Sequence, residues 1–189
     1  MKRITILTLS LAMGVVTALA VGNFFMAKRQ ATRTVQAQWK NIYKTPGGLV
    51  AGADLIVEAE HLMAVPGRVV GEGEDATPFT NNNFTVSRIL KGEHNGEELV
   101  VEQTGGIMAD GQVFNIDDGG PYKPGASYLL FLKSTGEGSY YVINYQARYE
   151  INGDRLEGVD PTDRVVARMH KRTLAEGRAL VFNRAKLVE

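Results

Sequence analysis

Hydrophobic positions are laid out along this chain in three ways, and each predicts a different structure. From Ile4 to Ala27 they run without a charged residue, behind Lys2 and Arg3. From Ala53 to Val159 they come in short bursts of period two or as brief solid runs, separated by Gly, Pro, Asn and Asp. From Pro161 onward they are sparse among Arg and Lys.

The first block is long enough, at about 1.5 Å per residue, to cross a bilayer core of about 30 Å as a helix. Residues 1–27 are therefore read as a signal peptide or a transmembrane anchor. A cleaved signal would use Ala18-Leu19-Ala20 as its small-x-small site. An uncleaved anchor would place Phe24 and Phe25 near the interface, with Lys28 and Arg29 beyond it. Either reading puts the rest of the chain outside the cytoplasm, as a single-pass membrane protein or secreted after signal cleavage. Residues 28–47 are polar and basic and read as a juxtamembrane spacer. Within it Trp39 and Tyr43 are four apart, the spacing of one helix face, suited to core contact or to interfacial anchoring.

Residues 48–160 carry the alternation of β-strands. Strands are expected at 53–62 (ADLIVEAEHL), 79–90 (FTNNNFTVSRIL), 97–104 (EELVVEQT) and 126–134 (ASYLLFLKS). The last has a continuous apolar centre, the pattern of a strand buried on both faces. Residues 138–151 form one long strand or two joined by a bend. Asn152-Gly153 is a hairpin signal with 154–159 as the returning strand. Pro66-Gly67, the acidic run 71–78 and residues 107–125 are expected as loops. Asp160-Pro161-Thr162-Asp163 has the composition of a helix start, so 161–189 is read as a basic helix, over 161–182, and tail. Six or seven short strands without βαβ alternation argue for a mostly β fold, a small barrel or sandwich. It is flanked by an N-terminal hydrophobic helix and a C-terminal helix.

Three of these stretches also carry a resemblance. Ala53-Asp54-Leu55-Ile56-Val57-Glu58-Ala59-Glu60, Phe84-Thr85-Val86 leading to Ile89-Leu90-Lys91-Gly92, and Gly125 leading to Tyr128-Leu129-Leu130-Phe131-Leu132 occur in that order. The order resembles exported bacterial proteins of unknown function. It is also similar to the barrel of tissue inhibitors of metalloproteinases and netrin-type modules, over residues 50–147. The resemblance implies an OB-like barrel. Those inhibitors chelate zinc through an N-terminal cysteine; this chain has no cysteine. No inhibitory residue is carried over.

Composition narrows the chemistry. Twenty-one basic residues balance twenty-one acidic ones, so no net field favours nucleic acid, which is not an expected partner. The absence of cysteine excludes disulfides, thiolate nucleophiles and Cys-ligated zinc. Asp110, Asn115, Asp117 and Asp118 offer oxygen ligands in a Gly-rich stretch, the donor type that suits Ca²⁺, but the spacing is that of ordinary turns and not of an EF-hand. They are weak metal candidates; no metal or cofactor is expected. His61, His94 and His170 have no metal-type spacing to one another and are expected at the surface or rim. No G-x-S-x-G elbow is present. Tyr141, Tyr145 and Tyr149 share parity on a continuous strand, with Tyr140 facing the other way. They are the candidate binding face, for stacking on a glycan or a partner protein; Tyr–Tyr packing within the sheet is the plainer alternative.

The function expected is a non-enzymatic binding or interaction module of the cell envelope. Its partners are the membrane, through the N-terminal segment, and an envelope protein or glycan. Two alternatives stand beside it. One is an envelope enzyme or metal-dependent hydrolase using the loop 110–118. The other is a structural or assembly factor that uses Arg164, Arg168, Lys171, Arg172, Arg178, Arg184 and Lys186, which suit a solvated face or lipid head groups.

Overall fold

The computed structural model describes residues 32–35, 39, 41–108, 111–116 and 119–185. They belong to one compact unit that begins at Thr32, separate from residues 1–31. The expected N-terminal helix lies outside the described residues. Among those residues, no helix is long and apolar enough to cross a membrane.

The fold is mostly β. Its strands are β1 (Thr32–Val35), β2 (Leu55–Val70), β3 (Thr77–Lys91), β4 (Glu98–Thr104), β5 (Gly106–Ile107), β6 (Val113–Ile116), β7 (Ser127–Ser134), β8 (Tyr140–Val142), β9 (Arg148–Asn152) and β10 (Arg155–Gly158). Among the described residues two helices accompany them, α1 (Pro46–Gly52) and α2 (Leu174–Ala185). The main sheet runs β10-β9-β7-β2-β3-β4-β8, and β8 also pairs with β7. That last contact closes β2-β3-β4-β8-β7 into a ring. Every contact in the ring is antiparallel except β4 with β8. Part of the stretch expected as a spacer is drawn in, because β1 pairs in parallel with β6, which carries β5 on its other edge.

Alternation along β2 and β7 sorts side chains to two cores. Leu55, Val57 and Ala59 sit opposite Leu132, Leu130 and Tyr128 and fill the ring with Phe84, Leu99, Val101 and Tyr122. Ile56 opposes Phe131, and these pack outside with Leu129, Tyr149 and Leu156 beneath α1 and the C-terminal segment. Two buried faces explain why 126–134 reads as a solid apolar run. Both cores draw on burial worth about 25 cal/mol per Å² of apolar surface.

The Lys91-Gly92 pair ending β3 has a structural task. Lys91 Nζ donates to the carbonyls of Val50 (2.8 Å) and Ala53 (2.6 Å), capping the negative end of α1. Gly92, at φ +78°, lies so close to the Asp54 carbonyl that a β-carbon would collide with it. Across the β2–β7 ladder from Leu129, Glu58 is only 4% exposed. Arg178 of α2 donates to both its oxygens, Nε to Oε1 at 2.5 Å and Nη2 to Oε2 at 2.6 Å. This bidentate pair pins α2 to β2.

Several expectations need correction. Pro66-Gly67 lies inside β2, not in a loop; register shifts between Pro66 and Val69 accommodate the missing N–H. The turn after Asn152 uses Gly153 and Asp154, with φ +63° at Gly153, so the glycine occupies the first central position. The helix expected over 161–182 is split. Asp160 and Asp163 cap local turns, and Val166–Arg168 is a single 3-10 turn. Residues 171–174 then pair with β10, through Lys171 N–H to Leu156 O, Leu156 N–H to Arg172 O and Leu174 N–H to Asp154 O. Those bonds cannot be made from inside a helix, so α2 starts only at Leu174. Trp39 and Tyr43 are not on a helix either. Tyr43 instead packs against the outer core and lies across α1, its ring filling the space above Gly48 and Gly52.

Candidate functional site

Beside the closed ring lies a concavity of about 510 Å³. Its wall takes Trp39 from the N-terminal stretch, Arg68 and Phe79 from the β2–β3 hairpin, and Glu102, Gln103 and Thr104 from the end of β4. Ser134 ends β7 and Thr135 follows it, Tyr141 and Val142 belong to β8, and Tyr122, Asn144 and Arg148 complete it. Four aromatic rings and three charged side chains thus face one space, the mixture found in sites that bind organic ligands.

The charged groups are fixed before any ligand arrives. Arg148 is 7% exposed and stacks on Tyr122, its guanidinium carbon 3.8 Å from the ring centroid. It donates to the carbonyls of Gly120 (2.6 Å) and Pro121 (3.1 Å). No carboxylate pairs with it among the described residues. Glu102 is held by Arg68 at 3.1 Å and by the Ser139 hydroxyl at 2.6 Å. Arg68 also lies over Phe79, 5.0 Å from its centroid. Groups set in this way lose little freedom when they engage a ligand.

A polar network holds the far rim. Asn144 donates to Asn41 O (2.7 Å) and accepts from Gln146 N–H. Gln146 accepts from Tyr43 N–H (2.9 Å) and donates to Tyr43 O (3.1 Å) and to Asp163. Partial burial pushes the Asp163 carboxyl up, but donation from Val166, Gln146, Val165 and Tyr145 outweighs it and leaves Asp163 below its ordinary value.

The three candidate tyrosines do not form one exposed face. Asn144 and Gln146 interrupt the strand with a 3-10 turn at Tyr145–Ala147. Tyr141 is 41% exposed and lines the concavity. Tyr145 is half-buried and donates its hydroxyl to Asp163. Tyr149 is fully buried in the outer core, where burial raises its phenol above the ordinary range. Of the metal candidates, Asn115 lies in β6, paired with Thr34 of β1. Asp110, Asp117 and Asp118 lie outside the described residues. Among the described residues no group of three or more His, Asp or Glu could hold a metal ion.

His94 and His170 lie partly exposed, as expected. His61 does not. It is 1% exposed, wedged against Phe84 and Tyr122 with ring centroids 5.1 and 5.7 Å away. Neither ring nitrogen has a hydrogen-bond partner among the described residues. Burial pushes its pKa down, only partly opposed by polar groups of Lys123, Asn82 and Met63. Sequence reading missed Arg148, Arg68 and Glu102 altogether, since each looks like an ordinary surface charge in its own strand. The chain matches no protein-family model and no curated protein.

Proposed function

We propose that the chain is a non-enzymatic binding module of the cell envelope, held at the membrane by residues 4–27 or released from it by cleavage. Its domain is an OB-like barrel, and its ligand site is the aromatic concavity. Support for the OB-like version comes from the ring order β2-β3-β4-β8-β7 with its one parallel contact. OB barrels take ligands on their second and third strands, flanked by the loops after the first and fourth. Here those strands are β3 and β4; Arg68 near the end of β2 and Thr135 in the loop after β7 stand beside them at the concavity. The ligand class that fits is an envelope glycan or an extended peptide of an envelope protein. Aromatic faces stack on sugar rings or side chains, while Arg148, Glu102 and Gln103 hydrogen-bond polar groups.

The observation that carries the reading is a preset, deeply buried guanidinium opening onto an aromatic-walled concavity. Trp39 is the chain's one tryptophan, so its fluorescence reports on this wall alone. The full-length protein in non-ionic detergent is titrated with soluble peptidoglycan fragments and with short peptides. Saturable change in Trp39 emission, lost in Tyr141→Ser, is expected. Saturable heat of binding without any Trp39 response, unaltered by Tyr141→Ser, would place the site elsewhere.

A further inference from the structure

The structure sorts the basic residues of the C-terminal segment into two sets. Lys171 pairs with Glu157 at 2.6 Å, and Arg178 pairs with the buried Glu58. Arg164, Arg168 and Arg172 instead join Lys44, from the other end of the domain, around a second cleft of about 330 Å³. Its remaining lining among the described residues is Thr45, Pro46, Gly47 and Leu180, none of them acidic. Arg172 has Glu176 at 3.6 Å, an exposed pair that screens little. Lys44, Arg164 and Arg168 have no ion-pair partner among the described residues.

The convergence is built into the fold. The buried side chain of Gln146 grips the Tyr43 backbone with one hand and the Asp163 carboxylate with the other. It thereby sets the next residue of each segment, Lys44 and Arg164, at the same cleft. Arg172 Nε donates to the Arg168 carbonyl at 2.5 Å and fixes the third side. The nearby acids are spent elsewhere: Asp160 caps Thr162, and Asp163 takes donors from Gln146, Tyr145, Val165 and Val166. Four like charges around one cleft repel one another in a chain whose overall charge is zero. An anion between them relieves that repulsion. Guanidinium groups match phosphate oxygens bidentately, and Lys adds a point charge.

We propose that this cleft is a binding site for a phosphate group, distinct from the aromatic concavity. A soluble phosphate compound or a phospholipid head group presents the same chemistry. The test follows the arginine Nε–H NMR signals of the full-length protein in non-ionic detergent. Inorganic pyrophosphate is titrated in one arm, and short-chain phosphatidylglycerol, with phosphatidylcholine as the zwitterionic control, in the other. Saturable shifts of Arg164 and Arg168 are expected, weakening as salt is added. Arg164→Gln combined with Arg168→Gln should lower affinity by about tenfold or more. Response to pyrophosphate assigns a soluble phosphate; preference for phosphatidylglycerol over both other probes assigns a head group. The proposal is overturned if none of the probes produces saturable shifts at millimolar concentration, or if the double variant binds as tightly as the wild type. Retained Tyr43 and Gln146 backbone signals show that the variant is folded.

Discussion

Replacing Phe131 by Ala probes the outer core, on which α1, β9 and the C-terminal segment all depend. Phe131 is fully buried, faces Ile56 across the β2–β7 ladder and meets Tyr149 edge-on with centroids 6.2 Å apart. Truncation exposes or empties about 150 Å² of ring surface, which at about 25 cal/mol per Å² is about 4 kcal/mol. Measured Phe→Ala losses in packed cores are about 3–5 kcal/mol, which includes the cavity left behind. A domain of this size loses about 2–4 °C of Tm per kcal/mol, so a drop of about 8–16 °C is expected. Urea unfolding followed by circular dichroism gives the free energy directly. Phe182→Ala is the control: that ring is exposed on α2, and the change should stay within about 0.5 kcal/mol. A loss below about 1 kcal/mol for Phe131→Ala would refute the two-core reading of β7.

Tyr149→Ser should destabilise the domain by about 3–5 kcal/mol, whereas Tyr141→Ser should change it by less than about 1 kcal/mol, as read by the same unfolding curves. Arg178→Ala strips the buried Glu58 of its partner and should cost about 2–3 kcal/mol, below the full value for a buried pair because Arg178 is partly exposed; Glu58→Gln should cost less. The pKa of His61 lies below its ordinary 6.5, so below about pH 6.5 the unfolded chain binds a proton that the folded chain refuses. Stability should therefore fall as pH drops from about 6.5 toward 5, with Arg148 adding to the penalty on the charged ring. His61→Leu should flatten that slope without loss at neutral pH; an unchanged slope would assign the acid sensitivity to other groups.

Much of the sheet is legible because its signals are local. Alternation marks β4, a solid apolar run marks β7, and Gly153 marks the β9–β10 turn. Residues 138–151 read equally as one strand or as two joined by a bend; the choice between them is not legible locally, because the bend depends on Asn144 capping Gln146 and on Gln146 reaching a segment about a hundred residues earlier in the chain. The start of α2 is hidden for the same reason: β10 competes for the backbone of 171–174. Leu55, Val57, Leu129 and Phe131 are buried as their patterns imply. Tyr149 shows where parity fails, since a parity argument across a broken strand says nothing about exposure. The concavity itself joins positions 39, 68, 102, 141 and 148, which come from the N-terminal stretch and from four different strands, so nothing local in the sequence makes them neighbours.

The central claim, that this concavity is where the protein takes its ligand, is tested most directly by mapping. The full-length protein, labelled with ¹⁵N in detergent, is titrated with the fragment that gives the strongest Trp39 response. The largest shifts are expected at the Trp39 indole N–H, the Arg148 Nε–H and the backbone of Tyr141 and Gln103. Shifts confined to other surfaces, with these four signals unmoved at saturation, would contradict it.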